Sequence, residues 1–291
     1  AAAALHYAGT GAVGGVVIGD MGIDRAGKPK DSYTQGIEIH APVTVLAEGC
    51  RGHLSKQLIR RYALDKNSDP QTYGIGMKEL WRVQAGKSVP GLVQHTLGWP
   101  LDSGTYGGSF IYHLDKDRIA LGFVVGLDYQ DPGFSPFEAF QQWKTHPEIA
   151  AILKGGRRVS YGARAICDGG WQSLPKLTFP GGALIGCTAG FLNVPRIKGS
   201  HTAMKSGMMA AEAAADAISR QRGNDELTAY TGAYQSSWVE KELRMVRNFE
   251  PIIAKFGGVI GTLLAGANMW LEYLGLRLPF TMKHKRDCDK T

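Results

Sequence analysis

Between residues 180 and 207 the chain reads PGGALIGCTAGFLNVPRIKGSHTAMKSG: a short apolar run, a glycine, an irregular loop, then a Gly-Ser-His step into an alanine-rich stretch. That order is strand, loop, helix, and it restricts the fold more than any bulk property does. Residues 183–187 are expected as a buried strand, and a helix is expected over 203–219 with Ser200 and His201 ahead of it. Ala203, Gly207, Ala210, Ala211 and Ala214 would let that helix pack close to a sheet. Its first N–H groups lack intrahelical partners and carry positive partial charge, so they can face a flavin ribityl chain, a phosphate or a pyrimidine edge. A plain core helix explains the alanines but not the loop from Gly190 to Asn193.

The remainder reads as an α/β protein rich in tight turns, consistent with 39 glycines. Residues 1–48 suggest short strands, and 54–64 carry helical apolar spacing. Strand-like runs dominate from Gln71 to about Tyr129, which points to a β-rich second layer or an inserted domain. A helix is expected over 136–153, broken at Pro147, and another over 225–247. The net charge of +7 suits an anionic membrane surface or an acidic partner. The basic residues are scattered without an aromatic ladder, so nucleic acid is not an expected partner.

Gly9-Thr10-Gly11-Ala12-Val13-Gly14 matches the dinucleotide-loop pattern, but a β-branched run, Val16-Val17-Ile18, follows where a helix is required. It is expected to be a hairpin turn. Residues 47–54, AEGCRGHL, lie at a strand-to-helix junction and resemble the second nucleotide-binding motif of FAD-dependent hydroxylases; an ordinary turn is the other reading. Cys50, Cys167, Cys187 and Cys288 form no C-x-x-C pair and are expected to be reduced, with no metal site among them.

Taken together, AEGCRGHLSKQL, QTYGIGMKELW, HTLGWPLDSGTYGGSFIYH, YGARAICDGGWQSLP and the 182–207 block resemble the electron-transfer flavoprotein–ubiquinone oxidoreductase family over nearly the whole chain. The resemblance implies a glutathione-reductase-like FAD domain (residues 1–70 and 166–222), an inserted β-rich ubiquinone domain (71–165) and a helical region (223–291). It implies that the parent protein takes electrons from reduced electron-transfer flavoprotein through a [4Fe–4S] cluster and FAD to ubiquinone. The family's main dinucleotide loop and its cluster cysteines fall outside this chain, so the chain reads as an inactive internal piece. A cluster-free FAD reductase of the FixC or geranylgeranyl-reductase kind is the alternative.

By the same resemblance FAD would be held by Glu48, Gly49, Gly52, Gly186, Asn193, Gly199, Thr202 and Ala203, and ubiquinone by Tyr106, Gly107 and Gly108. Two glycines in a row remove the Cβ atoms that would block a flat ring, though a turn or bulge has the same signature. No covalent catalytic residue is expected, and His95 and His113 read as structural. The uncharged run 256–271 is too short and too glycine-interrupted to span a bilayer. A monotopic helix over 256–280, resting on the membrane through Ile260, Leu263, Leu264, Met269, Trp270 and Leu271, fits better. The membrane would be the mitochondrial inner membrane, on its matrix face, or a bacterial cytoplasmic membrane.

Overall fold

The computed structural model describes residues 2–285; Cys288 lies outside them. The chain begins with strands β1 (Ala2–Tyr7), β2 (Val13–Ile18), β3 (Met21–Ile23), β4 (Pro29–Thr34), β5 (Glu38–His40) and β6 (Thr44–Leu46), then helix α1 (His53–Tyr62). Next come β7 (Tyr73–Arg82), β8 (Val93–Thr96), β9 (Gly107–His113), β10 (Arg118–Gly126), α2 (Pro136–Trp143), α3 (Pro147–Leu153) and β11 (Arg157–Cys167). After β12 (Thr178–Phe179), β13 (Gly182–Leu184), α4 (Gly186–Ala189) and α5 (Ser200–Ser219) follow α6 (Thr228–Ser236), α7 (Trp238–Met245), α8 (Phe249–Phe256) and α9 (Gly258–Tyr273). Residues 1–69 and 170–244 make one compact unit, and 70–169 with 245–291 make a second. The stretch 223–291 is thus shared between them.

In the first unit β1, β2 and β5 form an antiparallel sheet. The glycine-rich start is the hairpin turn between β1 and β2, closed by Ala8 N–H donating to the Ala12 carbonyl at 2.8 Å. β13 lies parallel to β6 and antiparallel to β12. Leu46, Leu58, Phe179, Leu184, Phe191, Ala210 and Tyr230 share the core beneath them. Two expectations need correction. The strand expected over 183–187 stops at Leu184, because Gly186 at φ +56 turns the chain into α4. The helix expected over 225–247 is two helices: Ser237 is extended, and its Oγ accepts from Val239 N–H and Glu240 N–H, which starts α7 anew.

The second unit is built on an antiparallel five-stranded sheet in the order β11-β7-β10-β9-β8. Its apolar side chains on one face, Met77, Ile111, Leu121, Phe123 and Val125, pack with Phe140 and Trp143 of α2 and Ile149 and Leu153 of α3. Ser135 caps α2 and Pro147 opens α3, so the break falls where the sequence places it. Glu79 is buried on this face and meets Lys144 at 2.8 Å, Arg158 at 3.2 Å and the Trp81 indole N–H at 2.7 Å. Helices α8 and α9 form a separate small core around Ile252, Ile253 and Ala265. Their turn uses Gly257 at φ +74, and their approach needs Gly261, where a Cβ would lie 2.7 Å from the Ile253 Cα.

Candidate functional site

Strand alternation decides what the five-stranded sheet offers to a ligand. The register places Gly76, Val124 and Gly108 in one row across β7, β10 and β9, with Lys78, Gly122 and Phe110 in the next. Gly162 of β11 stands beside Lys78 in that second row. The face opposite the helices is therefore rich in glycine. Phe110 closes over Gly122, where a Cβ would meet the ring at 2.0 Å, and stacks on Tyr112 at 4.3 Å between centroids. At Gly76 nothing lies closer than 3.7 Å to the missing Cβ, and at Gly162 nothing lies within 4 Å.

Alternation also separates the expected pair. Gly107 points to the helix-covered side, where a Cβ would strike the Val124 carbonyl at 2.4 Å and the Leu101 Cδ1 at 2.6 Å. Gly108 points to the glycine-rich side, where the Leu97 side chain and the Thr96 carbonyl oxygen each lie 2.9 Å from the missing Cβ. Leu97 is itself 78% exposed. Gly107 thus serves strand packing, while Gly108 is closed partly by a side chain and partly by backbone. A cleft of about 340 Å³ beside β8, lined by His95, Trp99, Trp143 and His146 among others, contains none of the glycines. His113 Nδ1 accepts the Val89 N–H at 3.0 Å, its buried Nε2 meets no hydrogen-bond partner among the described residues, and burial holds its pKa below the usual value.

The start of α9 is fastened to the same block. Gly258 N–H donates to the Ser103 carbonyl at 3.1 Å, and Tyr106 packs into the α8–α9 core. The polarity of α9 is inverted relative to a globular helix. Its buried positions are Gly261, Ala265, Asn268 and Glu272, whereas Ile260, Leu263, Leu264, Trp270 and Leu271 are exposed and Met269 is half-buried. Large apolar side chains turned outward in this number mark a contact surface. Among the described residues no helix is long and apolar enough to cross a membrane.

Next to Tyr106 lies a group of acids that the sequence reading missed. Asp168 is 5% exposed, and its Oδ1 meets no hydrogen-bond donor. Burial, then the neighbouring Glu250 and Asp128, push its carboxyl up to about 7. Glu250 is buried against His284 at 2.8 Å. Burial, then Asp168 and Glu250, also push the Tyr106 hydroxyl well above its usual range. A lone Asp after a strand carries no sequence signal of this kind; only the fold assembles the group.

In the first unit the loops after β6 and β13 adjoin at the carboxyl ends of two parallel strands, the position where open α/β sheets bind ligands. Thr188 Oγ donates to the Gly49 carbonyl at 3.2 Å and joins the two loops. Several of the expected side chains brace these loops. The Glu48 carboxylate accepts the Leu54 and Ser55 N–H groups at 3.3 and 2.6 Å, capping α1, and folds over Gly52, where a Cβ would collide with it. The Asn193 amide donates to Glu242 at 2.7 Å, and the Thr202 hydroxyl donates to the Phe191 carbonyl at 2.9 Å. Gly186 donates its N–H to Ser206 Oγ at 2.9 Å and sits under Ala203, while Gly199 precedes α5. What this arrangement presents to a ligand is backbone: the open Gly49 and the first N–H groups of a 20-residue helix.

The ubiquinone-binding model of ETF-QO matches residues 73–166, which contain the five-stranded sheet except Cys167, the last residue of β11. The bovine mitochondrial electron transfer flavoprotein-ubiquinone oxidoreductase is 51% identical over 302 residues, covering 100% of this chain. The chain belongs to the electron transfer flavoprotein-ubiquinone oxidoreductase family. The Pseudomonas aeruginosa member is 54% identical over 94% of the chain. The chain spans about half the length of these curated relatives, 48% of the bovine protein and 49% of the bacterial one. Among solved structures, a geranylgeranyl bacteriochlorophyll reductase-like protein from Thermoplasma acidophilum superposes with a TM-score of 0.64 at 15% identity, over 94% of this chain and 68% of that one. The flavin-dependent brominase Bmp2 gives 0.58 at 18%, over 94% and 63%. The fold of the family member is thus that of the FAD-dependent oxidoreductases.

Proposed function

We propose that the full-length protein transfers electrons from reduced electron transfer flavoprotein to ubiquinone at a membrane surface, and that this chain supplies its quinone face, its membrane contact and part of its FAD site. The observation that carries this reading is the continuity of one block. The Tyr106-Gly107-Gly108 strand, matched by the ubiquinone-binding model, is tied through Ser103 and Tyr106 to a helix that turns its apolar side outward. Ubiquinone is dissolved in hydrocarbon, so a site for it has to adjoin the bilayer.

The quinone ring lies on the glycine-rich face over Gly76 and Val124, in the row that Gly108 continues. Tyr106 joins this row to the α8–α9 core. A quinone takes up protons as it is reduced, and Asp168 holds one near neutral pH within reach of the Tyr106 surroundings. FAD lies against the backbone at the ends of β6 and β13: Gly49 leaves open space there, and the α5 N-terminus offers donors. When bound, FAD supplies the redox chemistry, while Glu48, Asn193 and Thr202 keep the cradle rigid. The [4Fe–4S] cluster of the proposed pathway takes its ligands from outside this chain.

The full-length protein with Gly76→Val tests the reading. The new Cβ meets nothing closer than 3.7 Å, an ordinary contact, and an unchanged thermal midpoint checks that the branched side chain is accommodated on the quinone face. The expected result is about a tenfold rise in KM for a soluble ubiquinone analogue, the loss of one good apolar contact surface, with reduction by electron transfer flavoprotein unchanged. Equal quinone kinetics in the variant would remove the face from the mechanism.

A further inference from the structure

The sheet of the first unit carries a cluster unrelated to either region above. His6 of β1 pairs with Gly15 of β2, and Gly15 pairs with His40 of β5, so both imidazoles rise from the same face across a residue without a side chain. Gly15 is obligatory there: it has φ +145, and a Cβ would lie 1.9 Å from the Ile39 carbonyl oxygen. The imidazole centroids come within 4.2 Å of each other. Glu38, two residues before His40 on the same strand, places its Oε2 3.4 Å from His6 Nδ1 and 3.3 Å from His40 Nε2. The three donor atoms all lie within 4.8 Å of one another.

We propose that His6, Glu38 and His40 bind a borderline divalent transition-metal ion such as Zn²⁺. Donors held about 2.1 Å from a tetrahedral ion stand about 3.4 Å apart, and both nitrogen–oxygen separations already have that length. Two imidazoles with one carboxylate suit zinc, copper or nickel, whereas calcium and magnesium demand oxygen donors. Three protein donors leave the remaining position to water or to an exogenous ligand. All three side chains reach solvent, so the ion enters without rearrangement. It would also clip β5, a three-residue strand exposed along its length, to β1 across the sheet. The site is independent of flavin and quinone.

Metal-stripped protein titrated with Co²⁺ should develop visible ligand-field absorption that saturates at one equivalent and is displaced by Zn²⁺. Zn²⁺ alone should raise the thermal midpoint, reversibly with a chelator, because only the folded state assembles the donors. His6→Asn and His40→Asn should each weaken binding at least about tenfold, the usual result of losing one of three donors. His53→Asn, which removes a different surface histidine beside a carboxylate, should leave it unchanged. Should a variant fold poorly, Zn²⁺ protection of His6 and His40 against diethyl pyrocarbonate in the unaltered protein gives the same answer. No Zn²⁺-dependent shift, or a shift surviving in the His6→Asn/His40→Asn protein, overturns the site; in the second case other donors hold the metal.

Discussion

Arg247 and Glu272, both almost completely buried, meet at 2.9 Å beneath α9. Arg247 also donates to the Leu278 carbonyl at 2.8 Å and to Thr281 Oγ at 3.1 Å, and Glu272 accepts the Leu278 N–H at 3.3 Å. The polar side of α9 is therefore committed inward, and its apolar side has nowhere to go but out. Breaking one partner of a buried pair strands the other, so Arg247→Ala should cost about 3–5 kcal/mol, read by denaturant titration. A replacement of both residues by apolar ones of similar volume should cost much less.

Outward leucines on α9 should govern membrane affinity without governing stability. Leu263 and Trp270 are 71% and 67% exposed. Each large apolar group transferred into lipid contributes about 1.5–3 kcal/mol. Leu263→Ser or Trp270→Ser should each lower binding to phospholipid vesicles at least about tenfold, measured by co-sedimentation, with an unchanged urea midpoint. Unaltered vesicle binding in the double variant would show that another surface meets the membrane.

Gly107 and Gly162 should respond oppositely to a methyl group. Gly107→Ala drives a Cβ to 2.4 Å from the Val124 carbonyl, a backbone atom that cannot step aside. The expected loss is about 1–3 kcal/mol. Gly162→Ala meets nothing within 4 Å and should stabilise slightly, since alanine leaves the unfolded chain less conformational freedom to lose on folding than glycine does. Thermal unfolding of both variants checks the pair.

Asp168 and Glu79 should shape the pH dependence in opposite directions. A raised carboxyl pKa means the folded state prefers the neutral acid. The contribution of Asp168 is complete below its ordinary value of 3.8 and is lost as pH rises towards about 7. Asp168→Asn should therefore raise stability above neutral pH and flatten the profile between those limits. At Glu79 burial works to raise the pKa, but hydrogen bonds from Lys144, Trp81 and Arg158 outweigh it and leave the pKa lowered. Its contribution is present above 4.5 and fades as pH falls below that value. Unfolding midpoints from pH 3 to pH 9 of the parent and of Asp168→Asn resolve the two.

Local periodicity carried most of the element pattern. The hairpin at Gly9–Gly14 followed from the β-branched run after it, and the helix break at Pro147 followed from proline's missing N–H. What escaped was everything decided by partners distant in sequence. Gly107 and Gly108 look equivalent on paper, yet pleating sends them to opposite faces with different covers. Glu48 reads as a ligand carboxylate, but a helix start seven residues on claims it. Ser237 ends one helix because its hydroxyl begins the next, a competition invisible to apolar spacing. Asp168 gains its character from Glu250 and Asp128, which no window of sequence contains.

The parallel pairing of β6 with β13 has a bearing on biogenesis. Those strands are separated by more than one hundred residues, within which the entire five-stranded sheet is encoded. On the ribosome that sheet is complete while β6 still lacks its neighbour, so the five-stranded sheet can form before the β6–β13 pair does. Nascent chains released just after Cys167 should accordingly protect β7–β10 from proteolysis while leaving residues 44–62 open to cleavage.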